Sequence, residues 1–359
     1  MRYRNFLTLL FLLFIGTTTA QTNYNAEVKQ AAIELYNSFN KMQSKSGLLQ
    51  FGDTMRIKWN NLPVGLRARA GTSVGNMTIE QRKLLHRILS VSLSSQGYLK
   101  ATSIMHLDDL LNRYYDSLFY KKEIDDRTYK MIQDLKWSHR NFFFAFFGSP
   151  LENIWGYKLE GHHLSINFSF VNDKLSVTPF FIGTDPAEYP TTEYAGWRVL
   201  GQEEDLGIKL IHLLGPDQQK KATMSQDVPR DIITAAESGK RLIDYWGLPA
   251  SQMNKDQQAI LQYIIREFVF NMEYDKAMLE YEKILKAGMG KIYFGWIGPY
   301  DEFKPHYFVI NGPTFLIEFD NYGFNNNANH IHAIWREKGN EYGEDVLKKH
   351  YEAEHAGGK

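Results

Sequence analysis

Histidines stand in two short clusters far apart in the chain, and they are its most promising candidates for chemistry. The first cluster is His162-His163, and the second contains His330 and His332. Residues two apart on a β-strand leave the same face about 6.5 Å apart, so two such imidazoles can converge on one metal ion. A third ligand from the first cluster would complete a three-histidine site with an open position, as at catalytic zinc. The spacing therefore predicts a metal site.

Other polar residues could complete this site. We expect the metal ligands to come from five histidines: His162, His163, His306, His330 and His332. Glu160 and Glu204 are candidates for moving protons, and Arg336 for orienting an anionic group. The structural alternative for this arginine is an ion pair with Glu160, Glu318 or Asp320. The alternative for Glu204 is a favourable charge in the first turn of a helix.

The metal and the reaction stay open at this level. Cysteine-free, histidine-rich ligation suits a divalent transition metal such as zinc, copper or iron(II). Metal-assisted hydrolysis is our first hypothesis. The alternative at the histidines is a metal-free cluster that hydrogen-bonds across a sheet.

A second hypothesis is a non-catalytic protein that binds a saccharide or another small molecule with a carboxylate. Its ligand-binding residues would be Trp155, Asn167, Trp296 and Trp335, together with Arg336. Aromatic rings suit the faces of sugars, although buried tryptophans usually belong to a core. Converging histidine nitrogens would favour the hydrolase, and a shallow aromatic groove would favour the binding protein.

Composition excludes several other classes. Lys+Arg and Asp+Glu number 41 each, so no charge excess indicates a nucleic-acid partner or an anionic membrane. The chain has no cysteine, which removes thiolate chemistry, disulfides and a lipid-anchored cysteine. It also lacks a phosphate-binding glycine loop, an HExxH motif and a GxSxG nucleophile elbow.

The N-terminus has the pattern of a secretory signal peptide. Arg2 and Arg4 precede an apolar run at residues 6–15, and small residues end at Ala20. The run is too short to span a bilayer as a stable helix. We expect cleavage after Ala20, a periplasmic or secreted protein and no membrane anchor.

The histidines must be positioned by β-strands. Residues 155–184 predict a two-stranded ribbon with the His162-His163 pair in its first strand, where neighbouring side chains point to opposite faces. Alternating residues at 330–336 predict another strand, with Ile331, Ala333 and Trp335 facing the core.

Helices surround these strands. Capping residues at Thr78 and Asn254 predict two helix starts, and Gln96-Gly97 predicts a break between helices. We expect an α+β fold with a largely antiparallel sheet and helices packed on one side, as one compact domain over residues 21–359. No internal repeat is evident.

Several segments together resemble an uncharacterised bacterial and fungal family called domain of unknown function 3500. The matching residues are Phe147-Gly148-Ser149-Pro150, residues 155–165 (WGYKLEGHHLS), Gly196-Trp197-Arg198-Val199-Leu200 with Glu203-Glu204, Trp296-Ile297-Gly298, and Ala328-Asn329-His330-Ile331-His332 with Trp335-Arg336. The resemblance covers about residues 31–355. It implies that these motifs occur together in one domain, and it brings no established activity.

Overall fold

The computed structural model describes residues 16–172, 174–236, 238–240, 242–323 and 327–355. The α-helices in these ranges are α1 (Gly16–Asn37), α2 (Lys41–Gly47), α3 (Ile79–Ser92), α4 (Ser95–Tyr120), α5 (Asp126–Leu135), α6 (Gly201–Leu213), α7 (Pro216–Ala222), α8 (Lys255–Val269), α9 (Tyr274–Gly288) and α10 (Glu344–His355). The β-strands are β1 (Leu48–Leu49), β2 (Thr72–Ser73), β3 (Phe143–Phe147), β4 (Ile154–Gly161), β5 (Leu164–Val171), β6 (Lys174–Ser176), β7 (Phe180–Thr184), β8 (Thr223–Ser225), β9 (Leu248–Pro249), β10 (Tyr293–Ile297), β11 (His306–Asn311), β12 (Phe315–Asn321) and β13 (Ile331–Glu337). The predicted signal peptide lies outside the described residues as far as residue 15.

These strands form a single sheet. Its main path runs β1-β3-β4-β5-β7-β13-β12-β11-β10-β8, and β2, β6 and β9 attach to β3, β5 and β10. Neighbouring strands are antiparallel except for the short edge pairs β1–β3 and β8–β10. The prediction of one compact α+β domain with a largely antiparallel sheet is confirmed. Across the described ranges, no helix combines the length and the apolarity needed to cross a membrane.

One face of the sheet is apolar, and the helices cover it. Buried side chains from α1, α3, α4, α6, α8 and α9 pack with those of the strands in one large core. Ile331, Ala333 and Trp335 of β13 belong to this core, as predicted. The alternation of β13 therefore turns His332 and Arg336 to the opposite face.

Two long loops cover that opposite face. The first covering loop (residues 50–71) joins β1 to β2, and the second covering loop (residues 226–247, described except at 237 and 241) joins β8 to β9. Trp59 of the first loop packs on Phe181 of β7 with ring centroids 5.0 Å apart, and Ile232 of the second loop joins the same cluster. Because the loops exclude water, polar residues on this face need partners within the protein.

The chain contains an internal repeat, so the expectation that it lacks one is wrong. Strands β3-β4-β5-β7 of the first half correspond to β10-β11-β12-β13 of the second, and antiparallel pairing of β7 with β13 joins the halves. Each half adds one short parallel strand and one short antiparallel strand to its outer strand. The two halves therefore share one order and pairing of strands, arranged on the two sides of the β7–β13 pair.

Glutamines at the helix starts make the same hydrogen bonds in both halves. Gln81 of α3 completes a capping box with Thr78 and also hydrogen-bonds to Gln43 of α2. Gln257 of α8 completes the corresponding box and hydrogen-bonds to Gln218 of α7. Both predicted helix starts are confirmed, and each glutamine pair holds a short helix against a long one.

Helix α4 begins earlier than predicted. The expected break at Gln96-Gly97 is wrong, because Ser94 caps α4 and both residues lie in its first turn. A Cβ on Gly97 would lie 1.9 Å from the carbonyl oxygen of Asn271. This glycine therefore permits close packing after α8 and does not end a helix.

Candidate metal centre

The first pair of histidines forms a turn, so their predicted place in a strand is wrong. Strand β4 ends at Gly161 and β5 begins at Leu164, which leaves His162 and His163 as the connection of the hairpin. His163 has a left-handed backbone with φ 60°, a conformation that costs a non-glycine residue about 1–2 kcal/mol. Neighbours in a turn do not alternate across a sheet, and the centroids of these two rings lie 3.8 Å apart.

Three histidines converge at the junction of the two halves. His163 Nε2 lies 2.7 Å from His330 Nε2, which lies 3.0 Å from His332 Nε2. The hairpin turn supplies His163, while the start of β13 and the residue before it supply His332 and His330. Ligand atoms of all three lie within 4.8 Å of one another, so the three can hold a metal ion. The structure thus brings together histidines from both sequence clusters.

Hydrogen bonds orient His332 for ligation. Its Nδ1 lies 2.8 Å from Asp231 Oδ1, and its backbone N–H donates to Asp320 Oδ1 over 3.3 Å. A proton on Nδ1 that donates to Asp231 leaves a lone pair on Nε2. Asn61 Nδ2 lies 3.4 Å from that Nε2, and Asn61 O accepts from the backbone N–H of His163 over 3.0 Å.

The nitrogen contacts are compatible with a shared cation. An imidazole nitrogen carries either one proton or one lone pair in the ring plane. His330 Nε2 therefore cannot satisfy both His163 and His332 at the same time, whereas one ion accepts all three lone pairs. Nitrogens bound tetrahedrally at about 2.0–2.1 Å from zinc lie roughly 3.4 Å apart. Binding would thus require the rings to separate by some tenths of an ångström.

The surroundings make two of the three histidines neutral. Burial lowers the pKa of His163 and of His330 well below the usual value, and the neighbouring histidines add to this effect. Burial also acts to lower the pKa of His332, but the carboxylates of Asp231, Asp320 and Asp185 outweigh it and raise that pKa. Neutral imidazoles are the metal-binding form, so a proton competes with a metal ion most strongly at His332.

Two buried carboxyl groups lie beside the histidines. Burial raises the pKa of Asp320 to about 8 and that of Asp185 to about 6. Asp320 Oδ2 has no hydrogen-bond partner within the described part of the chain, and Asp185 Oδ2 lies 3.8 Å from His330 Nδ1. A cation at the histidines would favour the ionised form of both groups.

A further cation-binding arrangement overlaps the centre. Ligand atoms of Asp231, Asp320 and His332 also lie within 4.8 Å of one another. Both carboxyl groups accept hydrogen bonds from nitrogens of His332, which accounts for their closeness. We therefore assign Asp231, and the Oδ1 atom of Asp320, to the support of His332.

Glu204, expected to move protons, acts on the centre through another residue. Its carboxylate accepts from Asn321 Nδ2 over 2.6 Å and pairs with Arg198 over 2.8 Å. Asn321 Oδ1 accepts in turn from the backbone N–H of His330 over 3.0 Å. Glu204 thus fixes the amide that holds His330 and does not itself contact the three histidines.

Glu160, the other expected proton carrier, anchors the first covering loop. Its carboxylate lies 2.7 Å from Arg69 Nε and 3.4 Å from Lys158 Nζ. Arg69 donates to the carbonyl of Asn60, and Lys158 donates to that of Met55. These bonds hold the loop that supplies Asn61.

Arg336 anchors the second covering loop. It donates to Thr234 Oγ1 over 3.0 Å and to Thr234 O over 2.7 Å, and it pairs with Glu341 over 2.5 Å. Glu318 accepts from the backbone N–H groups of Ile233 and Thr234. Arg336 therefore forms an ion pair, but its partner is Glu341 and not the expected Glu160, Glu318 or Asp320.

The two remaining expected ligands lie outside the converging set. His162 Nδ1 lies 2.7 Å from Asp108 Oδ1, and its ring stacks on Trp137 with centroids 6.0 Å apart. His306 stacks on Trp296 with centroids 5.0 Å apart, and its Nε2 lies 3.8 Å from Glu204 Oε1. His306 lies on β11, which β13 and β12 separate from β7 in the sheet, so it is away from the centre.

The expected saccharide-binding residues are in the interior. Trp155, Trp296 and Trp335 are at most 2% exposed and belong to the main core. Asn167 is also buried and donates to the carbonyl of Pro179 over 2.8 Å. None of these residues can present a surface to a sugar, which removes the basis of the saccharide hypothesis.

A cavity of about 460 Å³ opens onto the histidine cluster. Its lining includes the three converging histidines, His162, both covering loops and Asp320. A cavity of about 500 Å³ beside Arg336 contains none of these histidines. The cavity at the histidines has a volume that suits a small molecule.

Four residues that support the histidines are not predicted by the sequence: Asn61, Asp108, Asp231 and Asn321. They come from the two covering loops, from α4 and from β12, and none lies in a recognisable motif. Only their contacts with histidines distinguish them from other polar residues. No local sequence signal could have identified them.

Comparison with known proteins identifies a family. A family model described as "Protein of unknown function (DUF3500)" matches residues 21–344. No curated protein and no solved structure matches the chain. The matched range includes the three converging histidines and both covering loops.

Proposed function

Since the chain belongs to the DUF3500 family, as its sequence motifs predicted, and that family is described as of unknown function, we propose an activity from the site itself: metal-assisted hydrolysis at the three-histidine centre. The observation that carries this proposal is the convergence of His163, His330 and His332 through their Nε2 atoms beside a cavity. Three histidine ligands and an open position are typical of catalytic zinc sites.

The ion would polarise the substrate and increase the acidity of a water molecule. Asp231 holds His332 in the tautomer with a free Nε2, and Asn321 holds the backbone of His330. The left-handed turn directs His163 to the same point. These contacts fix the ligands before substrate binds, which favours catalysis by preorganisation.

Asp320 is the proton acceptor in this proposal. The oxygen of the water forms a bond to the electrophilic centre, the bond to the leaving group breaks, and a proton passes through Asp320 Oδ2 to the leaving group. Support comes from the position of Asp320 in the cavity lining and from an Oδ2 that no described residue hydrogen-bonds. Glu160 and Glu204 are engaged in other contacts and are replaced in this role.

The decisive experiment is elemental analysis of tag-free protein before and after chelation. We expect about one equivalent of zinc, copper or iron(II), loss of hydrolysis of model esters and phosphoesters on chelation, and recovery with the ion. The variants His163→Asn and His163→Gly should lose the metal without losing the fold, because both residues tolerate a left-handed backbone.

The matched control is His86→Asn, which removes an exposed histidine from α3 and should keep the metal. Wild-type protein that binds none of the three ions after reconstitution would exclude the proposal. A metal content unaffected in both His163 variants would exclude this ligand set.

We also propose that the protein is exported, on the basis of the pattern in residues 1–20. Mass spectrometry of the protein recovered from its native cell should give an N-terminus at Gln21. An intact N-terminus on the recovered protein would contradict cleavage.

A further inference from the structure

Part of the wall of the histidine cavity is apolar. Leu62, Pro63 and Leu66 of the first covering loop line this wall with Leu135 and Trp137. Leu66 is 59% exposed and Leu62 is 40% exposed, so both present apolar surface to the cavity instead of a core. A ligand with an apolar body would remove this surface from water, which is favourable.

Arg230 is the cationic side chain at the same cavity. It is exposed, it lines the cavity beside Asp231, and its guanidinium makes no hydrogen bond or ion pair with any described residue. Arg69 and Arg336 on the same side of the sheet are both engaged. An unpaired guanidinium at a concave site is suited to a carboxylate or phosphate, which it can bind through two hydrogen bonds.

The backbone next to Arg230 is held in place. Ile233 and Thr234 donate their N–H groups to Glu318, and Arg336 bonds to Thr234. Asp231 is bound to His332. The backbone at Arg230 is thus held beside the metal centre, so an anion bound by its guanidinium would be at the same cavity as the histidines.

We propose that the substrate is a small anionic molecule with an apolar body, with its carboxylate or phosphate bound by Arg230 and its body against the wall of Leu62, Leu66 and Trp137. This inference rests on the proposed hydrolytic function, and it specifies the substrate class. The cavity of about 460 Å³ limits the ligand to a small molecule.

Calorimetric titration of the purified protein with three probes tests the inference. Phenylacetate and phenyl phosphate carry the anion, and phenylacetamide is a neutral counterpart. We expect at least one anionic probe to bind about tenfold or more tightly than the amide, because charged hydrogen bonds are stronger than neutral ones. Comparison of the two anions identifies the preferred headgroup.

Variants test the binding of the anionic group and of the apolar body separately. Arg230→Gln should remove the preference for anions, and Arg127→Gln, a change of an exposed arginine in α5, should preserve it. Leu66→Asn should weaken phenylacetate more than acetate. All three variants should keep the metal content of the wild type.

The outcomes distinguish this inference from the proposed hydrolysis. Anion binding that is absent in the wild type, or unaffected by Arg230→Gln, overturns the inference even if the metal is present. Anion binding that depends on Arg230 in a protein that binds no metal supports the anion site and rejects the hydrolysis.

Discussion

Gly183 of β7 and His332 of β13 are cross-strand partners at the junction between the two halves of the molecule. A Cβ on Gly183 would lie 2.6 Å from the carbonyl oxygen of Ile331, 3.1 Å from His163 Cδ2 and 3.2 Å from His332 Cδ2. Gly183 also donates its N–H to the carbonyl of His163 over 2.7 Å. A residue without a side chain therefore allows the histidine turn to approach β13.

Gly183→Ala should damage the metal centre. The added methyl group forces His163 and His332 apart or displaces β13, and such overpacking typically costs about 1–3 kcal/mol of stability. We expect weaker metal binding and a lower free energy of unfolding, measured by metal titration and denaturant unfolding. Gly52→Ala is the control, since its Cβ would meet nothing within 4 Å. Unchanged metal affinity in Gly183→Ala would show that the packing of the histidines does not depend on this glycine.

Asp231→Asn should weaken metal binding without abolishing it. The amide keeps the size of the side chain but removes the charge that orients His332 Nδ1. Loss of such a supporting carboxylate typically lowers metal affinity about 10–100-fold. Competition with a chelator of known affinity measures the change, and Asp227→Asn in the same loop is the control. Equal affinities in the two variants would contradict the orienting role.

Metal affinity should fall as the solution is acidified. The raised pKa of His332 means that a proton competes with the metal at pH values below that pKa. The lowered pKa values of His163 and His330 keep both neutral over the same range. One competing proton on His332 reduces the apparent affinity about tenfold per pH unit below its pKa.

The Asp231 carboxylate provides a test of whether His332 causes this pH dependence. Without the Asp231 carboxylate, the pKa of His332 should fall, so the midpoint of the pH dependence in Asp231→Asn should move to lower pH. Metal titrations of the wild type and of Asp231→Asn at several pH values measure the two midpoints. A midpoint that stays in place would mean that His332 is not the competing group.

Arg336→Lys should lower stability more than it changes chemistry. Lysine keeps the charge but cannot bond at once to Thr234 Oγ1, Thr234 O and Glu341 as the guanidinium does. We expect a loss of about 1–3 kcal/mol in denaturant unfolding, with metal content unchanged at saturation. Arg127→Lys on the surface of α5 should be neutral. If Arg336→Lys kept full stability but lost hydrolysis, Arg336 would have a catalytic role instead.

Much of the fold follows from local sequence. The capping residues Thr78 and Asn254 interact with residues three positions later, so their helix starts could be predicted from neighbours alone. The alternation of side chains along the strand placed Ile331 in the core and His330 and His332 together on the other side. The repeat was not evident, because it lies in the order and pairing of the strands, which no local pattern reveals.

The candidate site depended on contacts between distant residues. The turn at His163 and the pairing of β7 with β13 decided which histidine meets His330 and His332. The register of that pairing is set by packing across the whole sheet. The roles of Glu160 and Arg336 were decided by two covering loops whose positions have no local pattern. Sequence alone determined the strand face and the chemical type of the ligands. The tertiary structure decided which ligands meet and which charged residues hold them in place, because side-chain type is a local property and convergence is not.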